Sequence, residues 1–334
     1  MGAPRRRARF MVGILVSIGN DVAHQSARSR LPVRCVLAIR PVRVENRYMG
    51  DPTMEPVDAE GIAEPATASA ALDEVLWDPI ARATVLRSHP IFDERVLDAC
   101  SGDGATALPT AELVGPGGLV DAVASSEGVV ALVRERAGER MPQLRLHVGD
   151  PTEWPYTGYD LVQCVLGIPS FADPEAGARH LVECARPGGR AAFAVWARGA
   201  LDPLPGLLAA ALPEAAGPGA DAGAEAEDEA EAEAEAIASG LPVLHDADTT
   251  GTFAHWLAGL GLVDVRAEAI NRHLDLDPGL AWALVLGTPL RSMLGDLDDE
   301  AVAGVRERYL AALADRALPP VDITTLVAVG RRPE

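Results

Sequence analysis

Residues 96–108, VLDACSGDGATAL, decide the fold. An apolar run closes on an acid, Asp98. A loop follows in which Gly102 and Gly104 stand in Gly-x-Gly spacing, and the chain then turns alanine-rich. An apolar run without alternation predicts a strand buried on both faces. The glycines allow a turn that other residues resist. The alanine-rich stretch predicts a helix whose first amides point into the crevice at the strand end. Strand, glycine turn and helix in that order form a cradle of nucleotide size.

The pattern extends in both directions. Residues 58–88 have apolar positions at helical spacing and predict one or two helices, a helical N-terminal lid. From residue 95 onward strands and helices alternate. RVLDA is a strand, 104–114 a helix and GLVDAVA a strand. EGVVALVRERAGER is a helix, and LRLHVG and YDLVQCVLG are strands. PEAGARHLVECA is a helix and GRAAFAVWA a strand. Beyond residue 248 come a helix and strand over 249–270, helices over 278–294 and 299–318, and a last strand over 323–332. This order predicts an α/β fold: a doubly wound, mostly parallel sheet with helices on both faces.

Composition narrows the function. Hydrophobic residues make up 48% of the 334 and aromatics 4%, so the core must be built from Ala, Val and Leu. The net charge of −20 argues against nucleic acid as a partner, because a binder of phosphates needs a basic surface. The charge is uneven. Residues 1–48 hold ten Arg against Asp21 and Glu45, which is +8 and leaves −28 on the remainder. Cys35, Cys100, Cys164 and Cys184 are scattered and form no C-x-x-C pair, so neither a disulfide framework nor a metal site is expected. A reducing cytoplasm is the expected compartment.

The stretch RRRARFMVGILVSIG, residues 5–19, is similar to the start of a secretory signal, but its apolar part is too short to span a bilayer. No membrane partner is expected. Composition changes from Arg-rich to acidic near Met49 and Met54. Residues 1–54 therefore read as an arm outside the fold, or as the product of an upstream start. Residues 55–334 read as the domain. Within it, 214–240 is low complexity, with eight acids between Asp221 and Glu235, and is expected to be a solvated acidic insert.

Two cofactor types use such a cradle. Gly102, Gly104 and Ala107 satisfy G-x-G-x-x-G/A, the nicotinamide dinucleotide pattern. A pyrophosphate would then lie beside Asp98 and Asp103 and be repelled by them. Two carboxylates suit a ligand with a cationic centre.

Four motifs in order extend this reading: VLDACSGDG at 96–104, Gly149–Asp150, YDLVQCVLG at 159–167 and RPGG at 186–189. With them the chain resembles the class I S-adenosylmethionine-dependent methyltransferases, the small-molecule branch most closely, from about residue 70 to the end. The resemblance implies a seven-stranded sheet and S-adenosylmethionine as cofactor. It implies that Asp98 holds the methionine amino group. Cys100, Ser101, Gly102, Asp103 and Gly104 would surround the amino-acid part and ribose, with Cys100 in place of a glycine. Asp150 would accept from the adenine amino group and Pro151 would pack beside the ring. Cys164 and Val165 would line the methyl donor.

The family also has an acid ending the second strand, for both ribose hydroxyls. Here that position is Ala124. Asp121 lies three residues earlier, and Ser125, Ser126 and Glu127 are the substitutes within reach. His180, His255 and His273 sit in no motif, so no catalytic base is assigned. The acceptor pocket is expected from the N-terminal helices, residues 167–171 and the helices over 278–294. Their apolar character predicts a small hydrophobic acceptor. Two other readings stay open: a cofactor-binding relative without turnover, and a nicotinamide-dependent oxidoreductase.

Overall fold

A computed structural model describes residues 71–213, 244–295, 297–316 and 320–334. The arm at 1–54, the predicted helix start at 58–70 and the acidic insert at 214–240 lie outside the described residues. Seven strands form one sheet in the order β3-β2-β1-β4-β5-β9-β6. They are β1 Arg95–Ala99, β2 Leu119–Ala124, β3 Leu144–Val148, β4 Tyr159–Val165, β5 Ala185–Trp196, β6 Val263–Ile270 and β9 Thr325–Arg331. The first five pair in parallel, and β9 runs antiparallel between β5 and β6. The sheet is thus doubly wound and mostly parallel, as its sequence predicts. A small ribbon of β7 (His273–Leu274) with β8 (Val321–Asp322), unforeseen, stands apart.

The helices are α1 Asp78–Ser88, α2 Ala107–Val114, α3 Glu127–Ala137, α4 Pro174–Cys184, α5 Leu204–Ala211, α6 Thr250–Gly259, α7 Pro278–Gly287 and α8 Asp299–Ala314. A π-helical turn, Asp73–Trp77, leads into α1. Alternate strand residues face opposite ways. Leu97, Ala99, Val162, Cys164 and Phe193 pack with α4 and α6 residues such as Leu181 and Phe253. Val96, Val120, Leu161 and Ala192 pack against Ala111 and Val114 of α2. A further apolar core lies at the carboxyl end of β5. It gathers Leu72, Leu76, Ile80, Trp196, Leu204, Leu208, Trp282, Val305 and Tyr309. The N-terminal helical segment is therefore part of the packed domain.

Local chemistry sets the helix ends. The first helix after β1 starts at Ala107 rather than 104, because Gly102 and Gly104 are left-handed, at φ +52° and +91°. The predicted helix over 278–294 breaks at Thr288–Pro289. Proline has no amide to donate, and it disfavours helical backbone in the residue before it. Thr288 Oγ1 bonds the Leu284 carbonyl at 2.7 Å, and a 3-10 turn continues over Pro289–Leu294.

Arg190 of β5 fastens α1 to the sheet. Its guanidinium donates to the Ser88 and His89 carbonyls, both at 2.6 Å, and to both Glu94 oxygens at 2.7 Å. Arg190→Leu strands a shielded carboxylate and two carbonyls. Chemical denaturation is expected to show a loss of about 2–4 kcal/mol.

Candidate active site

The strand order reverses at β1 and β4, and the crevice of such a sheet opens beyond their carboxyl ends. Cys100 follows β1 and Leu166 follows β4. Both are left-handed, at φ +67° and +58°, which costs a residue with a Cβ about 1–2 kcal/mol. The two loops touch. A Cβ added at Gly167 would lie 2.6 Å from the Cys100 Cβ and 3.0 Å from the Cys164 Sγ. Gly167 is glycine because no side chain fits between these loops.

Two cavities meet at this contact. One, of about 290 Å³, is lined by Cys100, Ser101, Gly102 and Asp103 of the glycine turn and by Val165, Leu166 and Gly167; Trp77, Ile80 and Ala81 of the N-terminal segment, with Gly287 and Pro289, complete it. The other, of about 820 Å³, is lined by Cys100, Ser125, Asp150, Pro151, Gly167, Phe171 and their neighbours. Cys100 and Gly167 line both, so the two cavities adjoin at this contact, the waist of the crevice.

The predicted residues divide accordingly. Cys100, Ser101, Gly102, Asp103, Ser125, Asp150 and Pro151 line the crevice. Asp98, Gly104, Ser126 and Cys164 line neither cavity. Gly104 faces away, and a Cβ there would meet Val133 of α3 at 2.9 Å. A side chain at Gly104 thus disturbs α3 packing and does not fill ligand space. Ser126 is the N-cap of α3 and accepts from the Val129 amide. Cys164 is fully buried in the core, and its hydrogen bond with Cys100, its burial and the nearby Asp98 hold its thiol well above the ordinary range.

Asp98 is the most unusual charge site. It is 1% exposed, and its Oδ2 has no hydrogen-bond partner. Burial alone pushes its carboxyl up to about 8. The Ser101 Oγ is also buried without a partner. A buried polar group left unpaired is costly, so both atoms mark where a hydrogen-bond partner is owed. Asp150, by contrast, sits near the surface. Its Oδ1 accepts from the Thr152 amide at 2.8 Å and hydroxyl at 2.6 Å, and these bonds keep its carboxyl below the usual range.

The end of β2 resolves the substitutes for the missing acid. Ala124 is 3% exposed and its carbonyl accepts from the Gly149 amide. Asp121 is unavailable. It accepts from the Tyr159 hydroxyl at 2.9 Å and pairs with His147 Nε2 at 2.8 Å. Tyr159 in turn takes the Trp154 indole N–H at 3.1 Å. Asp121 thus supports the 150–154 turn from beneath. Ser126 is spent as a cap and Glu127 is exposed at the helix start. Of the group, Ser125 alone lines the crevice.

His180 hydrogen-bonds the Trp154 carbonyl at 2.9 Å and is structural. No histidine lines either cavity. Sequence reasoning missed Leu166 as a lining residue, while Gly167 and Phe171 lie in the 167–171 stretch expected to line the acceptor pocket. It also missed Arg136 of α3, which donates to Asp103 at 2.9 Å. A loop before a 3-10 turn, and an arginine 33 positions from its partner, carry no local signal.

Residues 96–189 match a methyltransferase domain family. Among curated relatives, aklanonic acid methyltransferase of Streptomyces sp. (strain C5) is 32% identical over 120 residues, which are 35% of this chain and 54% of that protein. Nocamycin O-methyltransferase of Saccharothrix syringae is 32% identical over 115 residues, 34% of this chain and 41% of that one. The chain thus spans about half the length of the curated relatives it matches. The solved YcgJ protein of Bacillus subtilis is 15% identical, with a TM-score of 0.44, over 77% of this chain and 99% of its own.

Proposed function

We propose that this chain, whose residues 96–189 match a methyltransferase domain family, transfers a methyl group from S-adenosylmethionine to a small apolar acceptor. The observation that carries this reading is the pair of unpartnered buried atoms behind the glycine turn, Asp98 Oδ2 and Ser101 Oγ. The Asp98 carboxylate fits a cationic amino-acid moiety and disfavours a pyrophosphate, and the Ser101 hydroxyl stands beside it to donate or accept. Asp150, Pro151 and Phe171 would hold the adenine end, Ser125 the ribose, and Cys100 and Ser101 the amino-acid end.

When bound, the sulfonium supplies an already activated methyl group. The protein's part is then to orient the acceptor in line and exclude water. Trp77, Ile80, Val165, Leu166 and Pro289 form an apolar wall suited to that task. No side chain with the chemistry of a general base stands among them. An acceptor whose oxygen ionises without help, such as an acidic hydroxyl or a carboxylate, suits this wall best.

Titration calorimetry with S-adenosylhomocysteine and, separately, NADH tests the reading. Saturable binding of the first and none of the second is expected. Binding of NADH alone would overturn it in favour of an oxidoreductase. No helix among the described residues is long and apolar enough to cross a membrane. A cytoplasmic site of action, where the cofactor is made, fits the proposal, and the net charge of −20 disfavours nucleic acid as the acceptor.

Ala124 favours a second reading, a cofactor-binding relative without turnover. A carboxylate on both ribose hydroxyls makes charge-assisted hydrogen bonds of about 1.5–3 kcal/mol each. Ser125 replaces only part of that. Ala124→Asp is expected to tighten cofactor binding about tenfold, equivalent to ~1.4 kcal/mol, and Glu127→Ala to leave it unchanged. Weakened binding on Glu127→Ala would instead place the ribose contact on the helix start.

A further inference from the structure

Arg136 near the end of α3 stands where two separate pieces of the crevice meet. Its Nη1 donates to the Asp103 carboxylate at 2.9 Å and to the Asp103 carbonyl at 3.3 Å. Its Nη2 donates to the Asp73 carboxylate at 2.6 Å. Asp103 belongs to the glycine turn. Asp73 opens the π-helical turn whose continuation carries Trp77, Ile80 and Ala81 into the crevice wall. The exposures are 29% for Arg136, 26% for Asp73 and 12% for Asp103, so solvent competes weakly. The junction holds two acids against one cation, and Asp73 Oδ1 is buried with no hydrogen-bond partner. Burial and the adjacent Asp103 carboxylate raise the Asp73 carboxyl to about 6 despite the guanidinium. A packing contact alone does not call for this arrangement, because leucines would fill the same space without the cost of burying charge.

We infer that Arg136 is a positioning residue for the cofactor. It clamps the N-terminal segment, through Asp73, onto the glycine turn, through Asp103, and so seats the Trp77–Ile80–Ala81 wall over the donor end of the crevice. The inference rests on the methyltransferase reading for the identity of the ligand, and on the geometry alone for the clamp. A second fastening holds the same segment independently, since Arg272 Nη2 donates to the Val75 carbonyl at 2.8 Å. Loss of the clamp therefore loosens the wall without unfolding the domain.

The test uses the full chain, with S-adenosylhomocysteine as probe and amide exchange over residues 71–81 as a ligand-free readout. Arg136→Gln is expected to raise the dissociation constant about tenfold and to speed exchange over that segment. The charge swap Asp73→Arg with Arg136→Asp puts one guanidinium between two carboxylates again. It is expected to return the affinity to within about threefold of the original, a rescue that loss of packing alone would not produce. Unchanged affinity and exchange in Arg136→Gln would overturn the clamp, as would a swap no better than the single variant. If the unaltered chain does not bind the probe, the methyltransferase reading fails. The exchange rates in Arg136→Gln then decide the clamp by themselves: faster exchange upholds it and unchanged exchange overturns it.

Discussion

Asp98→Asn is expected to stabilise the protein and to cost it most of its cofactor affinity. Asp98 has a folded-state carboxyl near 8, raised by burial from 3.8. Between those values the folded chain binds a proton that the unfolded chain does not. Stability therefore falls as pH rises through that window. Below it the acid is protonated in both states and costs nothing. Asparagine keeps the shape and cannot ionise. The melting temperatures of variant and original should nearly agree at pH 4, diverge as pH rises to 8, and stay parallel above. At pH 8 the variant should gain at least ~2 kcal/mol. Binding should move the other way. A cationic ligand group near Asp98 favours the ionised carboxylate, so binding below pH 8 releases a proton and affinity rises towards pH 8. Loss of a charge-assisted contact of this kind is worth about 2–3 kcal/mol, or roughly thirty- to hundredfold in dissociation constant. Calorimetry in buffers of different ionisation enthalpy reads both. An Asn variant that is less stable at pH 8 and binds as before would show that Asp98 serves the fold and not the ligand.

Gly167→Val should abolish cofactor binding while leaving the sheet intact. The first carbon of the new side chain already meets Cys100 on one side and the Cys164 Sγ at 3.0 Å on the other. Cys164 is fixed in the core, so Cys100 has to yield. Cys100 lines both cavities, and its displacement pushes into both where they adjoin. Affinity is expected to fall at least about a hundredfold, ~2.7 kcal/mol, with a melting temperature only a few degrees lower. Far-ultraviolet circular dichroism and titration on one sample separate the two. Binding that survives would place the ligand away from the waist. Cys100→Gly combined with Gly167→Val should recover part of the affinity, because the glycine removes the side chain that clashes.

What the amino-acid sequence determined by itself was the sheet and its cradle. Local rules suffice for these. Continuous apolar runs mark β1, β4 and β5, glycines at 102 and 104 mark a left-handed turn, and an alternating strand–helix order leaves few topologies. Asp150 was singled out by the family resemblance alone, and it lies two residues beyond β3 as the cap of a 3-10 turn. The tertiary structure alone decided which polar groups are spent and which are owed. Asp121 and Asp98 lie three residues or fewer from the ends of adjacent strands, and both are buried acids. The first is consumed by Tyr159 and His147, brought to it from β4 and β3. The second is left with an unpaired oxygen. Nothing within either strand distinguishes them. Hydrophobic periodicity is a property of neighbouring residues, but the partner of a buried charge comes from register and packing between distant elements. The same holds for Gly167 against Cys100 and for Arg136 between Asp73 and Asp103, contacts made by residues 33 to 67 positions apart that exist only once the sheet has placed its loops side by side.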